Sequence, residues 1–400
     1  MNISLYIAKR YLFSKSSNNT INIITLIATI GVIVGTMSLF IVLSGFSGLK
    51  TFSLNFEKLF DPEIQITSHK GKTLIADASF FKKLKKESDI SQITSVIEER
   101  AFFEYNKKTE IAYIKAVDTN YTNVNKMDTT VVIGKWVGTN PFPIAVVGAG
   151  IANKLSIGVY SFLEPLKIYV PKPQKGYSTS LKNAFNEVLV QPGGIIELTQ
   201  EINNKYVFIP LELGRELLNY KKNQVSAIEI KLIPNSNSKN TAKRIQRILG
   251  DAYVVKTRIE LNAALHKMLN TENLMSYLLF TLVVIISLFN VIGAIIMMII
   301  DKKSNIKTLN NLGCTLKQIK NIFVLQGFLL TTFGLFIGLS IGVLLIAAQM
   351  EYELFMINAS FPYPVELNLQ NIITVILTIL ILGFIAAKIA SSRISETLIR

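Results

Sequence analysis

Hydrophobic and polar residues along this chain fall into blocks. Four stretches are apolar and free of charge: Ile21–Phe46, Asn273–Ile300, Asn321–Met350 and Leu367–Ala387. Each reaches the roughly 20 residues needed to cross a bilayer. A helix of a soluble protein must show one face to water and does not stay uncharged that long. The pattern therefore predicts four membrane-spanning helices. The first is too long to be a signal peptide, whose apolar core runs to about 7–15 residues, and reads as an uncleaved anchor.

Between the first and second spans lies different material. Lys50–Asn270 has dense charge, β-branched alternation and turn residues, and reads as a folded α+β domain. Strands are predicted at Glu63–Ser68, Ser91–Ile97, Ala101–Tyr105 and Glu110–Val117, with an Asp-capped amphipathic helix over Asp77–Ser88. The order recurs near the far end as a strand at Val225–Ile233, a helix at Ser238–Leu249 and a strand at Ala252–Lys256. This gives two strand–helix–strand halves separated by an insertion, roughly Thr129–Asn219, that reads mainly as β. Within it, Pro171, Lys172, Pro173, Gln174, Lys175, Gly176 and Tyr177 form a Pro- and Lys-rich run between strand-like segments, either a projecting hairpin or an ordinary exposed connection. Arg258–Glu272 reads as helix running into the second span without a breaker.

The polar segments flanking the spans carry further pattern. Met1–Thr20 mixes apolar residues with Lys9, Arg10 and Lys15, as either an interfacial helix or a basic flank. In Asp301–Lys320, Ile306, Leu309, Leu312, Leu316 and Ile319 recur at three- and four-residue spacing, with an interruption at Gly313. This amphipathic segment is either a docking helix for a partner or an interfacial turn. Inside the spans, Gly31 with Gly35, and the ladder Gly334, Gly338, Gly342, would let another helix approach closely. Ser287 and Asn290 should face other helices, of this chain or of a partner.

Composition agrees with this division. Of 400 residues, 50% are hydrophobic and 17% charged, against about a quarter charged in soluble domains. The net charge of +15 is carried by juxtamembrane and domain lysines without the aromatic interleaving of a nucleic-acid surface, so no nucleic-acid partner is expected. The amino end, the 301–320 loop and the carboxyl end are basic, whereas 351–366 has no base. Both termini and the 301–320 loop are thus expected in the cytosol and the large domain outside. One cysteine, Cys314, and two distant histidines, His69 and His266, give no metal set. Gly71-Lys72-Thr73 is not a phosphate loop, because Ile66 stands where the motif needs its first glycine. No catalytic, cofactor-binding or metal-binding residues are expected, and the spans hold no ionisable relay.

Several segments resemble the FtsX/MacB-type permeases of ABC transporters, and within them the LolC/LolE lipoprotein-releasing branch. They are Asp301–Gly327 (DKKSNIKTLNNLGCTLKQIKNIFVLQG), Lys9-Arg10-Tyr11-Leu12, Val147–Leu155, and Tyr363-Pro364-Val365. One departure is Asn305, where the family often has Glu. The resemblance implies a non-catalytic permease subunit of the bacterial inner membrane, with both termini cytoplasmic. Its parts would be an amino-terminal helix (1–20), first span (21–47), periplasmic MacB-like domain (48–270), stalk and second span (271–300), coupling helix (301–320), third span (321–350), periplasmic loop (351–366), fourth span (367–388) and tail (389–400). It also implies a second permease subunit, homodimeric or sibling, and a cytosolic ATPase that uses ATP and Mg and docks on Ile306, Leu309, Leu312, Gly313, Leu316 and Ile319. Pro171–Tyr177 matches in position the family's carrier-contacting hairpin, and Gly31, Gly35, Ser287 and Asn290 would border a lipid-facing cavity that receives a lipoprotein. The alternatives are a peptide or antibiotic efflux permease and a transmembrane activator of a cell-wall hydrolase.

Overall fold

The computed structural model describes residues 3–13, 19–138, 142–159, 164–172, 184–358 and 361–395. They group into two compact units, Met1–Phe52 with Lys267–Arg400, and Ser53–His266.

The first unit is helical. Helix α1 covers Ile3–Phe13, and α2 runs unbroken over Asn19–Phe60, well past the predicted end at Phe46. The second unit contributes α3 to α9. The helical unit resumes in α10 (Ala263–Asp301), α11 (Lys303–Asn311), α12 (Leu316–Tyr352) and α13 (Leu369–Ser391). Among the described residues, α2, α10, α12 and α13 are long and apolar enough to cross a membrane.

Glycines set how closely these helices approach. A Cβ placed on Gly338 would come inside 3.0 Å of the Ile33 carbonyl oxygen. One on Gly334 would strike Val32, and one on Gly342 would strike Phe40. The ladder on α12 therefore seats the backbone of α2, so that dispersion contacts replace a hydrophobic drive that lipid does not supply. Gly31 and Gly35 lie against Ser287 and Val284 of α10 at ordinary contact distance. Polar side chains add cross-links: Tyr277 and Thr378 hydroxyls are 3.0 Å apart, and Asn371 Nδ2 donates to Leu43 O and Ser47 Oγ. Gly48 receives Pro364 almost in backbone contact, which gives Tyr363-Pro364-Val365 a packing role beside α2.

The second unit is built on β3 (Ile90–Tyr105). The sequence pattern predicts two strands here, Ser91–Ile97 and Ala101–Tyr105, on either side of Glu98-Glu99-Arg100. Instead Glu98 accepts from the Tyr206 hydroxyl at 2.9 Å and Glu99 pairs with Lys72, so these polar side chains are satisfied within one strand. One part of β3 pairs with β11 (Ala227–Leu232), which continues to β1 (Ile64–Ser68) and β12 (Tyr253–Thr257). Helices α3 (Ala78–Leu84) and α8 (Ser238–Leu249) belong to this sheet's two halves and contribute Phe80, Leu84, Ile245 and Leu249 to its core. Asp77 caps α3, accepting from Phe80 N at 2.8 Å, as its position before the apolar run predicts.

The other part of β3 closes a ring. It pairs with β4 (Lys108–Val117), β4 with β9 (Tyr206–Pro210), β9 with β6 (Ile144–Gly148), β6 with β8 (Phe185–Ile196), β8 with β7 (Leu166–Pro171), and β7 again with β3. The insertion is therefore not a separate β unit. It borrows β3 and β4 to complete a six-stranded barrel, and it also holds helices α5 (Ala149–Leu155), α6 (Gln200–Lys205) and α7 (Leu211–Leu218). Helix α4 (Tyr121–Val124), strand β5 (Val131–Gly134), helix α9 (Arg258–Leu261) and the antiparallel pair β2 (Leu74–Ile75) and β10 (Gln224–Val225) also belong to the second unit. The barrel leaves β7 and β8 without a free edge over their paired length.

Candidate functional site

The connector between α10 and α12 is shorter and more ordered than its periodicity suggests. Helix α11 ends at Asn311, and Gly313 turns the chain at φ +93°, a conformation that favours glycine. Gly313 N donates to Asn310 O and Cys314 N to Leu309 O, which closes the helix end. Thr315 then opens α12 with a capping box: its hydroxyl accepts from Gln318 N, and Gln318 Oε1 accepts from Thr315 N. Leu316 and Ile319, expected on the connector, therefore sit in the first turns of the third membrane helix.

These residues divide by direction. Ile306 and Ile319 are fully buried in the helical unit's core, with Leu309, Cys314 and Leu316 packed against it. Ile306 and Ile319 fix the connector and offer a partner no surface, whereas Leu309, Cys314 and Leu316 are half-buried. Ala8 and Tyr11 of α1 share this core, Tyr11 lying 6.4 Å from the Phe323 ring. Outward stand Lys303, Ser304, Asn305, Thr308, Asn310, Asn311 and Leu312. Leu312 is 77% exposed, an isolated apolar knob at the corner made by Gly313.

A second cluster was missed by sequence reasoning because its members lie some 200 positions apart. Asn262 breaks the expected continuous helix between α9 and α10. Its Nδ2 donates to Glu57 Oε1 at 2.9 Å and to Asp61 Oδ2 at 2.7 Å. His266 Nε2 is 3.2 Å from the same Glu57 oxygen, and Arg258 Nε donates to Asp61 O. Burial raises the Asp61 carboxyl above its ordinary range, against the Asn262 hydrogen bond and the Lys115 charge. The last turn of α2 and the start of α10 are thus bound to each other inside the second unit. Phe60, the last residue of α2, enters an aromatic group with Tyr206 and Phe208. Lys115 lies 4.3 Å from the Phe60 ring centre and 2.9 Å from Glu229. Burial pulls the Lys115 ammonium down, but the Glu229 charge prevails and holds it above its ordinary value.

The remaining expected residues are scattered. Pro171 ends β7 opposite Phe185, and Lys172 N donates to Ala184 O at 2.9 Å. Pro173, Gln174, Lys175, Gly176 and Tyr177 lie outside the described residues. Gly334, Gly338 and Gly342 pack α12 on α2, whereas Gly31, Gly35 and Ser287 join α2 to α10. Asn290 points away from the chain's other helices, beside Gly293, where a Cβ would meet open space.

Comparison with known proteins agrees with this architecture. Residues 25–248 match the MacB-like periplasmic core domain and residues 277–399 the FtsX-like permease C-terminal domain. The chain is 25% identical over 391 residues to the lipoprotein-releasing system transmembrane protein LolC of Buchnera aphidicola subsp. Schizaphis graminum, covering 96% of this chain and 94% of that one. It is 24% identical over 355 residues to LolE of Haemophilus influenzae, covering 86% and 82%. Among solved structures, the periplasmic region of MacB from Actinobacillus actinomycetemcomitans aligns at 12% identity with a TM-score of 0.36, over 54% of this chain and 98% of that one. The chain belongs to the FtsX-like permeases that carry a MacB-like periplasmic core domain, and is a multi-pass membrane protein.

Proposed function

We infer that this chain is the permease subunit of an ATP-driven transporter that releases lipoproteins from the bacterial inner membrane. The observation that carries the substrate class is the collinear match, across both units, to relatives named as lipoprotein-releasing proteins. A separate cytosolic ATPase, consuming ATP with Mg, docks on the outward strip of α11 around Leu312. Its motion enters at the connector, which Ile306 and Ile319 hold rigidly to the membrane helices. It leaves through α2 and α10, each a single long helix that begins or ends in the second unit, where the Glu57–Asn262–Asp61 cluster ties the two together. Both termini and the connector lie in the cytosol, as their basic flanks favour.

A second permease subunit covers the face of α10 bearing Asn290. A carboxamide left against lipid tails is costly, and a partner helix or the cargo relieves that cost. The segment that joins β7 to β8 and carries Pro171–Tyr177 receives a soluble carrier. Purification of the native complex in mild detergent tests the reading. An ATPase subunit and a lipid-modified protein should be recovered together with this chain. Recovery with a cell-wall hydrolase, or with an outer-membrane efflux channel and no lipoprotein, would reject it.

A further inference from the structure

A cavity of about 1100 Å³ opens on the second unit, in the angle where β3 passes from the open sheet into the barrel. Its floor is apolar, where Ala101 and Val170 are almost fully buried. Its walls are the half-buried Phe102, Tyr169 and Leu218, and Ile111 lies at the exposed rim. The volume is at the upper end of the roughly 300–1,000 Å³ of pockets that enclose a small ligand.

The charges around the opening are unequal. Lys72 pairs with Glu99 at 2.9 Å, and Glu104 is used by Lys167 and by the Tyr169 hydroxyl. Burial first, then the Glu187 and Glu104 charges, push the Tyr169 hydroxyl up to about 12, so it stays a neutral donor. Arg100 and Lys172 remain, and among the described residues no carboxylate pairs with either. Glu187, at the Tyr169 hydroxyl, has no cation paired with it among the described residues, so two spare cations stand against one carboxylate, and an apolar trough with that positive excess matches a molecule with one long hydrocarbon chain and one anionic head.

We propose that this cavity binds a free long-chain fatty acid, with the chain on Phe102, Tyr169 and Leu218 and the carboxylate held by Arg100 and Lys172. A partner peptide is the less suited occupant. Along β3 the strand edge is already taken by β11 on one side of the cavity and by β7 on the other, which leaves few backbone groups for an added strand. The site does not depend on the transport reading, because it is tested without nucleotide or ATPase.

The full chain in zwitterionic nanodiscs is incubated with a 16-carbon fatty acid carrying a diazirine at its tail, irradiated and mapped by mass spectrometry. Adducts should fall on peptides containing Phe102 and Tyr169, and unlabelled palmitate should displace the probe at least ten times better than hexadecanol. Ile111→Trp, at a rim position that tolerates a larger side chain, should cut these adducts about ten-fold by filling the trough. Arg100→Glu, on an exposed side chain, should do the same by reversing the charge. Adducts confined to the membrane helices, equal competition by hexadecanol, or wild-type labelling of Arg100→Glu would overturn the proposal. So would displacement by an apolar peptide alone.

Discussion

Leu312 offers the sharpest test of the connector. Its side chain is 77% exposed and lies just past the end of α11, where it supports no core. Fully burying a leucine is worth about 1.5–3 kcal/mol, so the exposed three-quarters could contribute roughly 1–2 kcal/mol to an interface. At about 1.4 kcal/mol per factor of ten, Leu312→Ala should weaken ATPase binding on the order of ten-fold. Leu312→Asp should weaken it further, because a carboxylate would be buried without a partner. Neither change should move the chain's own stability by more than about 0.5 kcal/mol. Ile306→Ala is the contrasting case. That side chain is fully buried, and its loss should cost about 2–5 kcal/mol of stability. Binding of the purified ATPase to the chain in nanodiscs, measured by calorimetry beside thermal melts, separates the two. Unchanged affinity for both Leu312 variants, with unchanged melts, would refute the assignment of the docking surface.

Three further outcomes follow from the packing and charges. Gly338→Leu should separate α12 from α2 and lower the melting temperature of the full chain in detergent, by about 1–3 kcal/mol of overpacking, whereas Gly293→Ala, facing open space, should be neutral or slightly stabilising. Lys115→Met should cost about 3–5 kcal/mol in denaturant unfolding by stranding Glu229, and adding Glu229→Leu should recover most of that loss. Asp89 accepts from Thr241 and pairs with Arg244, which hold its carboxyl below the ordinary 3.8. A depressed folded value means stability that is present above the unfolded value and lost as pH falls through the folded one. The difference in melting temperature between wild type and Asp89→Asn should therefore hold steady down to about pH 5 and close below about pH 4. A gap that persists in acid would show that the aspartate acts by packing.

Much of this architecture is legible in sequence because its causes are local. A bilayer demands long uncharged runs, and Asp77 caps a helix through atoms three residues away. The barrel is not legible, since it depends on distant pairings such as Phe102 with Tyr169 and Tyr113 with Tyr206, and on polar residues in β3 that lie between the two predicted strands. The cluster of Glu57, Asp61, Asn262 and His266 is hidden for the same reason: each residue alone looks like a polar side chain that faces water. The connector falls between these cases. Its periodicity finds the helix, but only the fold separates the inward Ile306 and Ile319 from the outward Leu312.

On the proposed function, ATP consumed beneath the connector lifts a lipid-anchored protein out of the bilayer. The most direct measurement reconstitutes this chain, its partner permease if there is one, and its ATPase in liposomes loaded with a lipoprotein, with a soluble acceptor outside. Transfer to the acceptor should occur only when ATP and Mg are present, and should be lost in Leu312→Asp. Steady ATP turnover with the lipoprotein left in the membrane, or transfer that proceeds without ATP, would contradict it.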